Sequence, residues 1–140
     1  MGFFRALWAT PPEGLSPLSR YIVANGVLYL VLGLGMYFGA SPLIGLVAAL
    51  EGSQLTDVGL VRVCGMAVAF IGWFYVMGGR TGAASFGLAT VVDRLLLPAF
   101  LLPLWLLGEL PASLALSFCA LDPALALVAL WLWRRDRTSR

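Results

Sequence analysis

The sequence predicts an all-α integral membrane protein, in which four transmembrane helices form a bundle with short loops. The first observation is composition, since 61% of the 140 residues are hydrophobic and only 11% are charged. In soluble proteins, about half of the residues are hydrophobic and about a quarter are charged. The second observation is a set of four long apolar stretches. The third is that arginine and acidic residues alternate from one loop to the next.

Each span is predicted from the length of an apolar stretch. A helix needs about 20 mostly apolar residues to cross the hydrocarbon core of a bilayer, and soluble helices rarely stay apolar on every side over that length. The lipid bilayer is therefore the first expected partner. Residues 1–20 are predicted as an interfacial segment and residues 134–140 as a basic tail. Between them, the predicted spans are residues 21–40, 58–78, 83–107 and 112–133.

The charges between the spans predict the orientation. Arginines precede the first span, follow the second and follow the fourth; they are Arg5, Arg20, Arg80, Arg134, Arg135, Arg137 and Arg140. The loops at residues 41–57 and 108–111 carry acidic residues instead. Because cytoplasmic loops are enriched in basic residues, both termini are expected on the cytoplasmic side.

The segment PLIGLVAAL, residues 42–50, is apolar but too short to span a bilayer. We expect it to form a short helix on the outer surface of the bundle. A re-entrant piece is the alternative.

Small residues predict how the first two spans pack. In lipid, helices associate where small side chains let the backbones approach. An interval of seven residues keeps one seam facing its partner. Asn25, the only asparagine, is expected to form a hydrogen bond across this seam. The small residues that recur at this interval are Gly26, Gly33, Ala40, Gly65, Gly72 and Gly79.

Two charged residues are predicted to lie near mid-bilayer. With a rise of about 1.5 Å per residue, Arg94 lies about 16 Å along the third span and Asp122 about 15 Å along the fourth. An unpaired charge at that depth costs at least about 2.5–3.5 kcal/mol, so a contact between them is expected. The pair can fix helix order only, or it can form a polar site for a ligand or a proton. Asp93 is expected to take the partner role itself or to bond to a hydroxyl such as that of Thr90.

Arg62 lies about one turn inside the second span. Its side chain can extend outward to Asp57 or Glu109, or it can line an outward-facing pocket. Cys64 and Cys119 lie at similar depth and could meet, but they are expected to be buried free thiols.

Composition also excludes several kinds of site. The chain has no histidine, which is the commonest metal ligand and the usual general base near neutral pH. Two cysteines without histidine do not make a structural zinc site. The net charge of +2 is too small to indicate nucleic acid, and the arginines form no single patch. No catalytic residue, metal or cofactor is therefore predicted.

One part of the sequence resembles a known family. The stretch RVCGMAVAFIGWFYVMGGR is followed by DR in the third span, by a short GELP turn and by an acid in the fourth span. This pattern resembles the small four-helix bacterial membrane proteins of the DoxX-like type. The resemblance implies four helices and a bacterial inner membrane. It carries over no catalytic residue.

These observations lead to three expectations of function. The first is a non-enzymatic membrane protein that acts as an accessory, assembly or self-associating subunit, as a homo-oligomer or in a larger membrane complex. The alternative is a carrier or binder of a small hydrophobic or anionic ligand, with a proton-linked form, in a cavity lined by Arg62, Arg94 and Asp122. The third is a membrane enzyme that acts on lipid or quinone. A cavity beside Arg94 favours binding, and a fully paired contact favours a structural role.

Overall fold

The computed structural model describes residues 8–52 and 57–138, with side chains to residue 136. Arg5, Arg140 and the side chain of Arg137 lie outside this description. Regular structure in the described residues is entirely helical, and four of the helices are long and apolar enough to cross a membrane. This confirms the prediction of an all-helical chain with four long apolar helices. The helices are α1 (Pro17–Phe38), α2 (Ala40–Glu51), α3 (Val58–Arg80), α4 (Ala84–Leu106) and α5 (Ala112–Thr138).

The ends of α1 differ from the predicted span. The helix begins at Pro17, because the Ser16 hydroxyl accepts a hydrogen bond from the backbone amide of Ser19 at 3.1 Å, and proline is well suited to the first helical turn. It ends at Phe38, where Gly39 leaves the helical conformation. Ala40 was expected on the small-residue seam of the first span, but it is the first residue of α2.

The segment at residues 42–50 is helical, as part of α2. This helix ends at Gly52, whose φ of +62° is a left-handed conformation that glycine adopts without strain. Ala40 and Val47 are its buried residues. The helix contacts α1, α3 and α5.

The most extensive contact between helices joins α1 and α3. A Cβ atom on Gly26 would lie 2.6 Å from the backbone nitrogen of Val76, and one on Gly72 would lie 2.5 Å from that of Leu30. Real Cβ atoms do not approach backbone so closely, so the helices can meet only where side chains are missing. Residue numbers along this contact rise in α1 as they fall in α3, and the two helices are therefore antiparallel.

The second extensive contact joins α4 and α5. A turn at Gly108, with a φ of +75°, connects the two helices. Both continue through internal prolines, which are Pro98 and Pro103 in α4 and Pro123 in α5. Ala115, Ala126 and Ala129 of α5 are fully buried.

The two described ends of the chain lie at the same end of the molecule. Arg80, at the end of α3, donates a hydrogen bond of 2.6 Å to the carbonyl of Trp8. A groove at this end is lined by Ser16, Ala84 and Trp133, which brings the beginnings of α1 and α4 next to the end of α5. We call this the arginine-rich end. At the opposite end, the amide of Ser113 donates to Glu51 at 2.6 Å.

Candidate functional site

Five polar side chains meet at the centre of the helices. They come from all four long helices, and we call them the central cluster: Tyr29, Tyr75, Asp93, Arg94 and Asp122. All except Asp93 are buried. Each long helix therefore contributes at least one polar group to the cluster.

Arg94 lies in the middle of this cluster, and only 2% of its surface is exposed. Its Nε atom is 3.9 Å from Oδ1 of Asp122, a distance too long for a hydrogen bond. Its guanidinium carbon lies 4.8 Å from the centre of the Tyr75 ring and 5.5 Å from that of Tyr29. Within the described part of the chain, none of its three side-chain nitrogens has a hydrogen-bond partner. Aromatic rings and one approaching carboxylate thus surround an arginine whose donors are unused.

Each carboxylate of the cluster is held by a tyrosine. The Tyr29 hydroxyl donates a hydrogen bond to Asp122, and the Tyr75 hydroxyl donates one of 2.6 Å to Asp93. The Thr90 hydroxyl, which was expected to bond to Asp93, donates to the carbonyl of Gly87 at 2.8 Å instead. Asp93 therefore bonds to α3 rather than to its own helix.

A cavity of about 340 Å³ adjoins the cluster, within the usual size range of small-molecule sites. Besides the cluster it has apolar walls, which we call the apolar arm: Val68, Ile71, Leu97, Leu101 and Phe118. On α3 these residues precede Tyr75, on α4 they follow Arg94, and on α5 Phe118 precedes Asp122. Because neighbouring long helices run in opposite directions, all five lie on one side of the cluster, towards Glu51. The cavity is therefore polar at the level of the central cluster and apolar from there towards Glu51.

The exposed residues of the cavity lining lie on α3 and α4. These helices make little direct contact with each other. Ile71 of α3 is 44% exposed, and Asp93 of α4 is exposed. Both exposed residues lie near the middle of their helices rather than at either end.

Two larger grooves lie at the arginine-rich end, with volumes of about 480 and 530 Å³. Loop residues around Gly14 and Gly82 form much of the wall of the first groove, and the second is lined mostly by helix residues such as Leu88 and Trp133. Neither groove is lined by a buried charged side chain. The central cavity alone among these three combines a buried charge with apolar walls.

The structure brings together some of the residues selected from the sequence and separates others. Arg94, Asp93 and Asp122 all line the central cavity, but Arg62 does not. Arg62 is exposed on α3. The carboxylate of Asp57 caps the beginning of α3 by accepting a hydrogen bond of 2.9 Å from the amide of Leu60.

Three further predicted residues have surroundings that the sequence does not determine. Asn25 is buried beside the glycine seam, but its amide nitrogen has no hydrogen-bond partner among the residues described. Cys64 and Cys119 are free thiols. The prediction of burial is wrong for Cys64, which is exposed, while Cys119 is partly buried.

Tyr29 and Tyr75 were missed in the sequence, although a pattern points to them. Residues 26–33 read GVLYLVLG and residues 72–79 read GWFYVMGG. Both segments place tyrosine three residues after a seam glycine and four residues before the next. Since the two segments cross at Gly26 and Gly72, the tyrosines meet at the crossing.

Comparisons of the chain with protein-family models, curated proteins and solved structures found no match. The resemblance to DoxX-like proteins therefore stays a prediction. Among the described residues, no group of three or more cysteine, aspartate and glutamate side chains could hold a metal ion. The geometry of the central cluster is the basis for any proposal of function.

Proposed function

We propose that the protein is an integral membrane protein that binds, and as a carrier transfers, a small amphipathic ligand in the central cavity. One observation carries this proposal: the buried guanidinium of Arg94 has no hydrogen-bond partner and faces the cavity. Arginine has five N–H donors. A buried donor without a partner costs about 1–3 kcal/mol, and a ligand oxygen would remove that cost.

A purely structural ion pair is less well supported by the same geometry. A pair that served only to hold α4 against α5 should bring the guanidinium and the carboxylate into direct hydrogen bonds. The separation of 3.9 Å is longer than that, and Asp122 accepts its hydrogen bond from Tyr29. Ligand binding uses the donors that this arrangement leaves unused.

We further propose that lipid surrounds the four long helices as a bundle. Large apolar side chains project from them, and Phe74 and Phe100 are 65% and 69% exposed. The positive-inside rule then places the arginine-rich end in the cytoplasm. The inner membrane of a bacterium is the proposed location. In this placement the Arg94–Asp122 contact is an intramembrane ion pair, and the cavity opens to lipid.

A role as a self-associating or accessory subunit is the second candidate. Its specific support is Gly35 of α1, beside which there is open space on the surface of the helix. A helix from a second copy or another subunit could approach there. The oligomeric state in mild detergent, compared between wild type and Gly35→Leu, tests this role.

Retention of a ligand by the purified protein tests the leading proposal. Leu97 lines the cavity, whereas the neighbouring Leu96 is exposed and does not line it. Leu97→Trp should therefore fill the cavity, and Leu96→Trp is its matched control. Native mass spectrometry of protein released from mild detergent should show a bound small molecule on wild type and on Leu96→Trp. The adduct should be lost from Leu97→Trp.

Circular dichroism and gel filtration establish that both variants fold. The proposed function is overturned if folded wild type retains no molecule other than bulk lipid. Equal retention by Leu97→Trp and Leu96→Trp would also contradict it, because the ligand would then lie outside the central cavity.

A further inference from the structure

We infer that the ligand has an uncharged, carbonyl-bearing head held by Arg94 and an apolar chain held by the apolar arm. This inference rests on the proposed function and adds the chemical class of the ligand. Three observations carry it: the balance of charge in the cluster, the unused donors of Arg94 and the position of the apolar walls.

The balance of charge opposes an anionic ligand. Arg94 is the one cation of the central cluster, and Asp93 and Asp122 are two carboxylates. The cluster therefore contains two acidic groups and one basic group, and it has no surplus of positive charge to offer an anion. A further anion would add repulsion in a region of low dielectric constant, where charges interact strongly. A neutral ligand adds none.

The unused donors of Arg94 nevertheless require an acceptor. Each carboxylate already accepts a hydrogen bond from a tyrosine hydroxyl. A carbonyl oxygen has two lone pairs and can accept from two N–H groups of the guanidinium. Hydrogen bonds from a charged donor are about twice as strong as neutral ones. An uncharged carbonyl thus supplies the acceptor without adding another negative charge to the cluster.

The apolar arm indicates where the rest of the ligand lies. Leu97 and Leu101 continue from Arg94 along α4, and Phe118 faces them from α5. An apolar chain that leaves the carbonyl in this direction lies against side chains of matching polarity. The apolar chain of the ligand then points towards the Glu51 end. The exposed lining residues Ile71 and Asp93 indicate an opening between α3 and α4. A ligand dissolved in the hydrocarbon of a bilayer therefore has a lateral path to the site.

Photo-crosslinking with matched probes tests the inference. The wild-type protein in phosphatidylcholine nanodiscs is labelled with three probes of equal chain length, each with a diazirine in the chain. One carries a methyl ketone, one carries a sulfonate that stays ionised, and one has no polar head. Labelled peptides are mapped by mass spectrometry. The ketone should label the segments around Leu101 and Phe118 saturably, and more strongly than either other probe.

Variants show whether Arg94 supplies this preference. Arg94→Met should lower the saturable ketone labelling about ten-fold or more, the size expected for one lost charge-assisted hydrogen bond. Arg62→Gln, at an exposed arginine outside the cavity, should leave it unchanged. Comparing the three heads on wild type needs no variant, so the test holds even if Arg94→Met does not fold.

Two results would overturn the inference. Stronger labelling by the sulfonate would show that the site prefers an anion. Equal labelling by all three probes, or none at these segments, would show that Arg94 does not select a carbonyl. The retention experiment with Leu97→Trp is independent of the probes. It therefore distinguishes a wrong ligand class from a wrong proposed function.

Discussion

Tyr29 and Tyr75 occupy equivalent places in two antiparallel helices, with ring centres 5.6 Å apart and ring planes at 74°. Each hydroxyl donates to a different carboxylate, Asp122 on α5 and Asp93 on α4. The two rings also face the guanidinium of Arg94. This tyrosine pair therefore links the α1–α3 contact to the α4–α5 contact, while the side-chain nitrogens of Arg94 have no hydrogen-bond partner among the described residues.

Removing the tyrosine hydroxyls should destabilise the protein unequally. Tyr29→Phe leaves Asp122 without its phenol donor in a site where Asp122 is only 4% exposed. We expect a loss of about 1–3 kcal/mol in the free energy of unfolding. Tyr75→Phe should cost less, because Asp93 is exposed.

Unfolding by denaturant in mild detergent measures these losses. Tyr37→Phe is the control, since Tyr37 is exposed on α1 and should change little. A Tyr75→Phe variant less stable than Tyr29→Phe would contradict the assignment of the stronger contact to Asp122.

Double-mutant cycles should rank the partners of Asp122. The cycle between Asp122→Ala and Tyr29→Phe should give a larger coupling energy than the cycle between Asp122→Ala and Arg94→Met. The reason is that Tyr29 forms a hydrogen bond with Asp122 and Arg94 does not. Coupling energies between contacting residues are about 0.5–3 kcal/mol, which unfolding measurements resolve. The reverse ranking would favour a structural ion pair.

The glycine seam should be intolerant of a single methyl group. Gly72→Ala places a Cβ atom against the backbone of α1 and should destabilise the protein by about 1–3 kcal/mol. Gly35→Ala is the matched control on α1, where there is open space. It should be neutral or stabilising, because alanine is the better helix former. Thermal unfolding in detergent compares them, and equal effects at both positions would refute the close approach of α1 and α3.

The contribution of Glu51 to stability should be present near neutral pH and lost at low pH. The side chain of Ser113, together with the backbone amides of Ser113 and Ala112, lowers the pKa of Glu51 below its ordinary value. A lowered pKa stabilises the fold above the unfolded-state value of about 4.3. This contribution is lost as the pH falls through the folded-state pKa. Wild type should therefore be more stable than Glu51→Gln near neutral pH, and the difference should vanish in acid.

Ser113→Pro supplies the control for this prediction. Proline is tolerated in the first turn of a helix, and it removes the amide that donates to Glu51. In the Ser113→Pro background, Glu51→Gln should have a smaller effect near neutral pH. An undiminished effect would mean that Glu51 acts through another group.

The glycine contact and the central cluster differ in how far the sequence predicts them. Close approach at Gly26 and Gly72 depends only on missing side chains at a regular interval, which is a local property of each helix. The partner of Asp93 depends instead on how α3 is rotated against α4, which the hydrophobic pattern does not determine, and so Tyr75 was missed. The sequence likewise left open whether Arg62 lines a pocket, and in the structure it is exposed on α3 and does not line the central cavity.

The length of apolar stretches predicts the long helices but not their ends. The predicted first span continued to Ala40, because the apolar stretch of the sequence continues through that position. A backbone change at Gly39 begins a new helix instead. That change depends on the path of the chain, which composition does not encode.

The most direct test of the central claim is a magnetic-resonance measurement of what Arg94 contacts. Arginine nitrogens are isotope-labelled in nanodisc-embedded protein, and the ketone probe is labelled at its carbonyl carbon. Arg94→Met identifies the signal of Arg94 among the nine arginines. We predict a through-space contact between the Arg94 side-chain nitrogens and the probe carbonyl, absent in Leu97→Trp. A direct hydrogen-bonded contact with the Asp122 carboxylate, and none with the probe, would contradict the account.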